Sequence, residues 1–253
     1  MIVKHLPHGW QIIYHRSHAL LAAQIGGQWR RKDAPPRFYE TIAAISHHDD
    51  LEREWEEDNL TPCGAPKDFM METETSYPRM EKHLENALYR GRWVTLLISV
   101  HLARLNQQAK GTSQTADDFL ARQLEIQKQY RKELKVTKAD IDRAYAFMQW
   151  CDRLSLILCQ QELPDEERAL EISKGPNGQR YDVIKYSNDL ITVTPWCFED
   201  DRFTVNVEAS TLNEVKFADN ASLTIALKQA PRSIIEWTFI KDEKQSLKQN
   251  KLA

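Results

Sequence analysis

The sequence predicts an α+β protein: an N-terminal all-α helical bundle, residues 1–163, followed by a small antiparallel β subdomain, 164–240. Three observations carry that expectation. Apolar residues recur at helical spacing through most of 18–161. After "LPDEER" the texture changes to short, alternating, β-branched segments separated by turn residues. A chain of 253 residues, 42% hydrophobic and 28% charged, is also long and apolar enough to build a substantial core.

Residues 1–16 alternate weakly, and "WQIIYH" reads as a short strand or extended arm. Ser17 is placed as the N-cap of a helix from His18 to about Arg31, which "KDAPPR" ends. A second helix covers about 37–49. The stretch 51–76 is acidic, holds Pro62, Gly64 and Pro66, and reads as a long loop of the kind that often forms a lid. Helical periodicity returns over 77–89 and 92–108. "KGTSQTADD" interrupts it and starts a charged helix over 116–135, and Thr137 with Asp140 makes a capping pair for a helix over 138–161. The segments "LEIS", "YDVIKYS", "LITVTPW", "FTVNVEA", "SLTIALK" and "SIIEWTFI" are expected as strands. Only "LPDEER" separates the two parts, so the sheet is expected to pack on the last helix. The polar tail, 241–253, is expected to be disordered.

Composition removes several classes of function. A net charge of -3 gives no global basic field for nucleic acid or anionic membrane. No apolar run approaches the ~18 residues of a membrane span, and the N-terminus lacks the pattern of a signal peptide. Cys63, Cys151, Cys159 and Cys197 have no paired spacing, so neither a disulfide framework nor a cysteine zinc site is expected, and a reducing cytoplasm is the expected compartment. There is no Gly-rich phosphate loop and no Gly-x-Ser-x-Gly elbow.

Histidine is the lopsided residue: all 8 lie within the first 101 positions. His18 begins an apolar stripe continued by Leu21, Ala22, Ile25 and Trp29. Phe38, Ile42 and Ile45 lead at helical offsets to Asp49, with Ala44 and Ile45 beside His48. His101 sits within the stripe of Val94, Leu97, Ile98, Leu102 and Leu105. Asp152 lies four residues beyond Met148, among Cys151, Leu154, Ser155 and Leu158. A lone histidine on such a stripe is usually a hydrogen-bonded core residue, but an unpaired buried carboxylate costs several kcal/mol. Four helices each carrying His or Asp at the buried face are explained together by one shared metal (zinc, iron, manganese or nickel suit these ligands) or separately by four local hydrogen-bond partners.

The His18, His48–Asp49 and Asp152 order resembles the HD superfamily of metal-dependent phosphohydrolases. The stretches "HALLAAQIGGQW", "HHDD", "LLISVH" and "CDRLSLILC", with "PW" in the β part, are similar to an uncharacterised bacterial family with that core. The doublet is followed by Asp50 and Leu51, where many members have Ile-Gly. The resemblance implies one or two divalent ions on His18, His48, Asp49 and Asp152, with His83 and His101 completing a second site. It implies Asp49 and His101 as catalytic residues; Asp50 is a third candidate on its own position, read either as orienting a ligand imidazole or as a solvated residue at the helix end. The resemblance also implies hydrolysis of a phosphate ester or nucleotide-like small molecule, or alternatively di-iron oxygenase chemistry. A non-enzymatic metal-binding or partner-binding protein is the third reading. Arg104 and Arg153 are candidates for receiving a phosphate or, equally, for structural salt bridges, and Trp55 for an aromatic wall.

Overall fold

The computed structural model describes residues 1–51, 53–56, 58–71 and 75–242. Its seven strands are β1 (Ile2–Leu6), β2 (Gly9–Ile13), β3 (Leu170–Lys174), β4 (Arg180–Lys185), β5 (Ile191–Thr194), β6 (Arg202–Leu212) and β7 (Arg232–Ile240). The α-helices are α1 (His15–Gly27), α2 (Phe38–His47), α3 (Tyr77–Leu88), α4 (Arg92–Leu105), α5 (Gln114–Leu134), α6 (Lys138–Cys159) and α7 (Asn220–Gln229).

All seven strands belong to one sheet, ordered β1-β2-β6-β7-β5-β4-β3, antiparallel except where β5 runs parallel to β7. This corrects the expected architecture. The first 13 residues are not part of an all-α bundle. They form a hairpin whose second strand pairs with β6, setting Trp10 opposite Leu212 and Ile12 opposite Ser210. Residues on both sides of the expected 163/164 division share one core, with Leu21, Ile45, Leu97 and Met148 in the same cluster as Val193, Val205 and Phe239. An alternating strand must bury one face, but its alternation does not name the partner.

Gly9 shows how tightly the hairpin meets β6. Its φ is +120°, and a Cβ added there would lie 1.9 Å from the Leu212 carbonyl oxygen. Gly9→Ala is therefore expected to destabilise the fold by about 3 kcal/mol or more, from backbone strain and a clash with main chain that cannot swing away. A urea midpoint equal to that of wild type would disprove this account.

Strand β6 alternates inward Phe203, Val205, Val207 and Ala209 with outward polar residues, as a sheet with one covered face should. Helix α1 crosses it, and the Gln24 side chain donates to the Asn206 carbonyl (2.9 Å) and accepts from the Asn206 N–H (3.1 Å). Helix α6 packs on α1, α2, α4 and β3, which explains why apolar residues cover most of its circumference. The Thr137–Asp140 capping box forms at its start.

"SLTIALK" is a second correction: it is helix α7, not a strand. Asp219 accepts from the Ser222 N–H and Ser222 returns the bond, a capping box that overrides the alternation, and Leu223 and Leu227 are buried one turn apart. Helix α1 starts at His15 with no side-chain cap, so Ser17 lies inside it, and it ends at Gly27 rather than Arg31. Positions 52, 57 and 72–74 of the expected loop, and 243–253 of the expected tail, lie outside the described residues. Among the described residues no helix is long and apolar enough to cross a membrane.

Candidate metal centre

Four helices bring the site together. His18 lies in the first turn of α1, His48 caps the C-terminus of α2 with Asp49 just beyond it, His101 is on α4 and Asp152 on α6. His18 Nε2 is 3.2 Å from Asp49 Oδ2 and 3.2 Å from Asp152 Oδ1. His48 Nε2 is 3.4 Å from the same Asp49 oxygen and 3.3 Å from the same Asp152 oxygen.

Hydrogen bonds behind the rings decide what those nitrogens are. His48 Nδ1 lies 2.6 Å from the Ile45 carbonyl, which can only accept, so Nδ1 carries the proton. Ser155 spends its hydroxyl hydrogen on the Asp152 carbonyl (2.9 Å), so it accepts from His18 Nδ1 at 2.7 Å. With Nδ1 protonated on both rings, each Nε2 faces two carboxylate oxygens and can carry either a proton or a metal ion. Among the described residues neither Nε2 has a hydrogen-bond partner, and both are buried. A nitrogen lone pair facing carboxylates at this range is repelled, so the contact needs a proton on each Nε2 or a metal cation between the groups.

The four N···O separations match neighbouring ligands of one ion, and the ligand atoms fall into two overlapping sets within 4.8 Å, His18–His48–Asp152 and His48–Asp49–His101. Corners of a tetrahedron lying ~2.0–2.1 Å from its centre are ~3.3–3.4 Å apart. Two imidazoles held by bonds at Nδ1 and two carboxylates are also the donor types that transition metals take, with the outer hydrogen bonds that usually orient them.

Electrostatics express the same demand for positive charge. Burial lowers the pKa of His48, but Asp49 and Asp152 overcome it and pull the value up to about 9. His18 is likewise raised well above its ordinary range, burial being outweighed by its bonds to Asp152 and Asp49. Burial works against ionised Asp49 and Asp152, yet the two imidazoles hold both far below the usual carboxylate range.

His101 stands beside this set. Its ligand nitrogen, those of His48 and an Asp49 oxygen all lie within 4.8 Å of one another, and Tyr145 Oη is 3.4 Å from its Nδ1. Burial and the neighbouring His48 push its pKa down to about 4.

Other expected residues go elsewhere. His83 donates Nε2–H to the His48 carbonyl (3.1 Å), supporting the His48 backbone at the helix end. Asp50 pairs with His47 Nδ1, Arg16 and Arg90, so it orients His47 and neither ligand imidazole. His47 is buried against the His83 ring, 4.7 Å between centroids. Arg104 lies over the Tyr145 ring and near Asp142, and Arg153 binds Glu162 at 2.9 Å. Trp55 donates to Tyr14 Oη (3.1 Å) and lines a separate cleft with Arg16 and Arg53.

The site opens into a cavity of about 340 Å³, with His48, Asp49, His101 and Asp152 in its lining, a volume suited to a small molecule. Three of its features escaped the sequence reading. Ser155 was visible on the Asp152 stripe, one turn on, but nothing local marks a serine as an imidazole's acceptor. His15, assigned to the arm, is buried and gives its backbone N–H to Glu54 (2.9 Å), whose carboxyl is held down to about 2 against burial mainly by His15. Lys67 and Arg79, from the loop and the start of α3, also line the cavity.

No curated protein and no solved structure matches the chain. Residues 1–214 match the family described as "Protein of unknown function (DUF3891)". That match and the seven-stranded sheet overturn the resemblance to the HD superfamily and the all-α expectation that came with it. The clustering of His18, His48, Asp49 and Asp152 stands on its own geometry. From the first strand through β6, the chain belongs to the DUF3891 family.

Proposed function

We propose that the protein is a metal-dependent hydrolase of a small phosphate ester. The observation that carries this reading is the pair of buried Nε2 atoms, without hydrogen-bond partners among the described residues, facing two carboxylate oxygens at 3.2–3.4 Å on the floor of an open cavity. His18, His48, Asp49 and Asp152 would hold a divalent transition ion: iron, manganese, zinc or nickel. When bound, such an ion polarises a phosphoryl oxygen and brings the pKa of a coordinated water to ~7.

The chain's own groups do the rest. Asp49 and Asp152 keep 26% and 19% of their side chains exposed toward the cavity, as an open site requires; a purely structural site is closed. His101, beside His48 and Asp49, is placed to accept a hydrogen bond from the attacking water. In the reaction the water oxygen would form a new bond to phosphorus and pass a proton to His101, the ester P–O bond would break, and the departing alkoxide would take up that proton. An oxygenase built on two irons has less support, because His83 spends its Nε2 on the His48 carbonyl and belongs to neither described group of side chains close enough to share an ion.

Elemental analysis of purified protein, with hydrolysis assays on a panel of phosphomonoesters, tests the reading. One divalent transition ion per chain and release of phosphate that stops on chelation are expected. Two irons per chain would shift the reading to oxygenase chemistry. No metal under any loading would overturn it.

A further inference from the structure

In phosphoryl transfer the entering and departing oxygens lie roughly in line, on opposite sides of phosphorus. A proton passed to His101 is therefore on the entering side. A second group has to meet the departing oxygen, because a basic alkoxide leaves poorly until it is protonated.

Besides His48 and His101, the cavity wall holds His15. It lies one helical turn before His18 on α1, so the two project from the same face. His101 neighbours His48 (5.3 Å between ring centroids), and His48 neighbours His18 (5.4 Å). His15 and His101 thus stand at opposite ends of this succession, with candidate ligands between them. Against the effect of burial, the charges of His48, His18 and then His15 hold Asp49 low, so His15 is within electrostatic reach of the site.

The ring is fixed from behind. Its Nδ1 lies 3.0 Å from the Met1 nitrogen and 3.5 Å from Glu54 Oε1, and Glu54 also accepts from the His15 backbone N–H (2.9 Å). Phe69 meets the imidazole edge-on, 5.2 Å between centroids. His15 and Glu54 are both buried. With these polar contacts on Nδ1, Nε2 is the ring nitrogen left for the cavity, and the carboxylate behind the ring stabilises its positively charged form.

We propose that His15, held by Glu54, is the general acid of this site and gives its Nε2 proton to the departing ester oxygen. The inference rests on the hydrolase reading and narrows its substrates to alkyl phosphates, whose alkoxide needs a proton to leave. As the P–O bond breaks, its electron pair goes to the ester oxygen. The Nε2–H bond breaks toward that oxygen, and the imidazolium becomes a neutral imidazole. The proton given up by the attacking water restores His15 through solvent, so no further reactant is consumed.

The test is kcat/KM of metal-loaded wild type and His15→Gln on 4-nitrophenyl, phenyl and ethyl phosphate, in order of rising leaving-group basicity. Metal content and thermal midpoint are taken on the same samples. Glutamine keeps a hydrogen-bonding side chain and removes the transferable proton. We expect unchanged metal stoichiometry and a loss on ethyl phosphate roughly 100-fold greater than the loss on 4-nitrophenyl phosphate, the scale of general acid catalysis. A structural role would lower all three alike, and equal losses would overturn the assignment while leaving the metal-dependent hydrolysis intact. Should His15→Gln fail to fold, wild type alone decides. A nearly level kcat/KM across the three esters supports the acid, and a steep fall toward ethyl phosphate overturns it. Nitrogen NMR of isotopically labelled histidine needs no turnover: His15 Nε2 should carry hydrogen, and a ring protonated on Nδ1 alone would overturn the proposal. If metal-loaded wild type hydrolyses none of the esters, the hydrolase reading fails and the acid falls with it.

Discussion

Asp152→Asn is expected to lower metal affinity by roughly 100-fold or more while the fold survives, a larger effect than the 10–100-fold typical of losing an outer-shell partner. The substitution keeps the side-chain volume and removes the charge. Asp152 is the carboxylate whose one oxygen lies within 3.2–3.3 Å of both Nε2 atoms, so its loss removes a ligand and half of the negative charge on the site. Arg153, the neighbouring arginine, offers no rival explanation, since it binds Glu162 instead. His47→Ala is the control. His47 serves Asp50 and packs on His83, so its removal should cost stability without changing stoichiometry. Metal content and thermal midpoint of both variants are the measurements. Full metal occupancy in the Asp152→Asn variant at micromolar metal would remove Asp152 from the ligand set.

Chelation of the metal-bound protein is expected to lower its thermal midpoint, and the drop should grow as pH rises from 6 to 8.5. A ligand present at 100 times its dissociation constant stabilises by about 2.7 kcal/mol. For a chain of this size that is about 5–10 °C. The pH direction follows from the imidazoles. In the metal-free protein His48 titrates at about 9 rather than 6.5, so its protonated form stabilises the fold fully below pH ~6.5, and that contribution fades as pH rises through the folded value. Asp49 and Asp152 are depressed, so their contribution is present above the ordinary carboxylate range and is lost as pH falls through their lowered values. At pH 6 a metal must displace protons that already satisfy the two carboxylates. Affinity therefore rises with pH, by up to about tenfold per unit for each proton displaced. Differential scanning calorimetry with and without chelator at several pH values checks this. A chelation effect that is largest at pH 6 would contradict the assignment of His18 and His48 as proton-competing ligands.

The residues of the cluster were legible because each carries a local signature. His18, His101 and Asp152 interrupt apolar stripes, and Asp49 ends one, with His48 beside it; a polar group on a buried face needs a partner wherever it lies. His83 had the same signature, with Met80, Leu84 and Ala87 as neighbours, and it is indeed buried. Burial did not bring it into the cluster: its Nε2 reached the His48 carbonyl instead. Periodicity reports which face is covered, and it is silent on which nitrogen points where.

By itself, the sequence determined the helices from α1 to α6, the Thr137 box and the short strands after Pro164, because caps and amphipathic periods act over a few residues. Only the tertiary structure decided that β1 and β2 join β6, from the opposite end of the chain, since a strand's alternation leaves its neighbour open. It alone turned "SLTIALK" into a helix, where a capping box and Leu223–Leu227 burial against β2 and β6 residues such as Ile12 and Leu212 outweighed β-branched texture. It also brought Lys67 and Arg79 to the same wall as Asp49 and Asp152. Charges on a loop and at a helix start have no period to betray them, and packing of distant segments sets what they face.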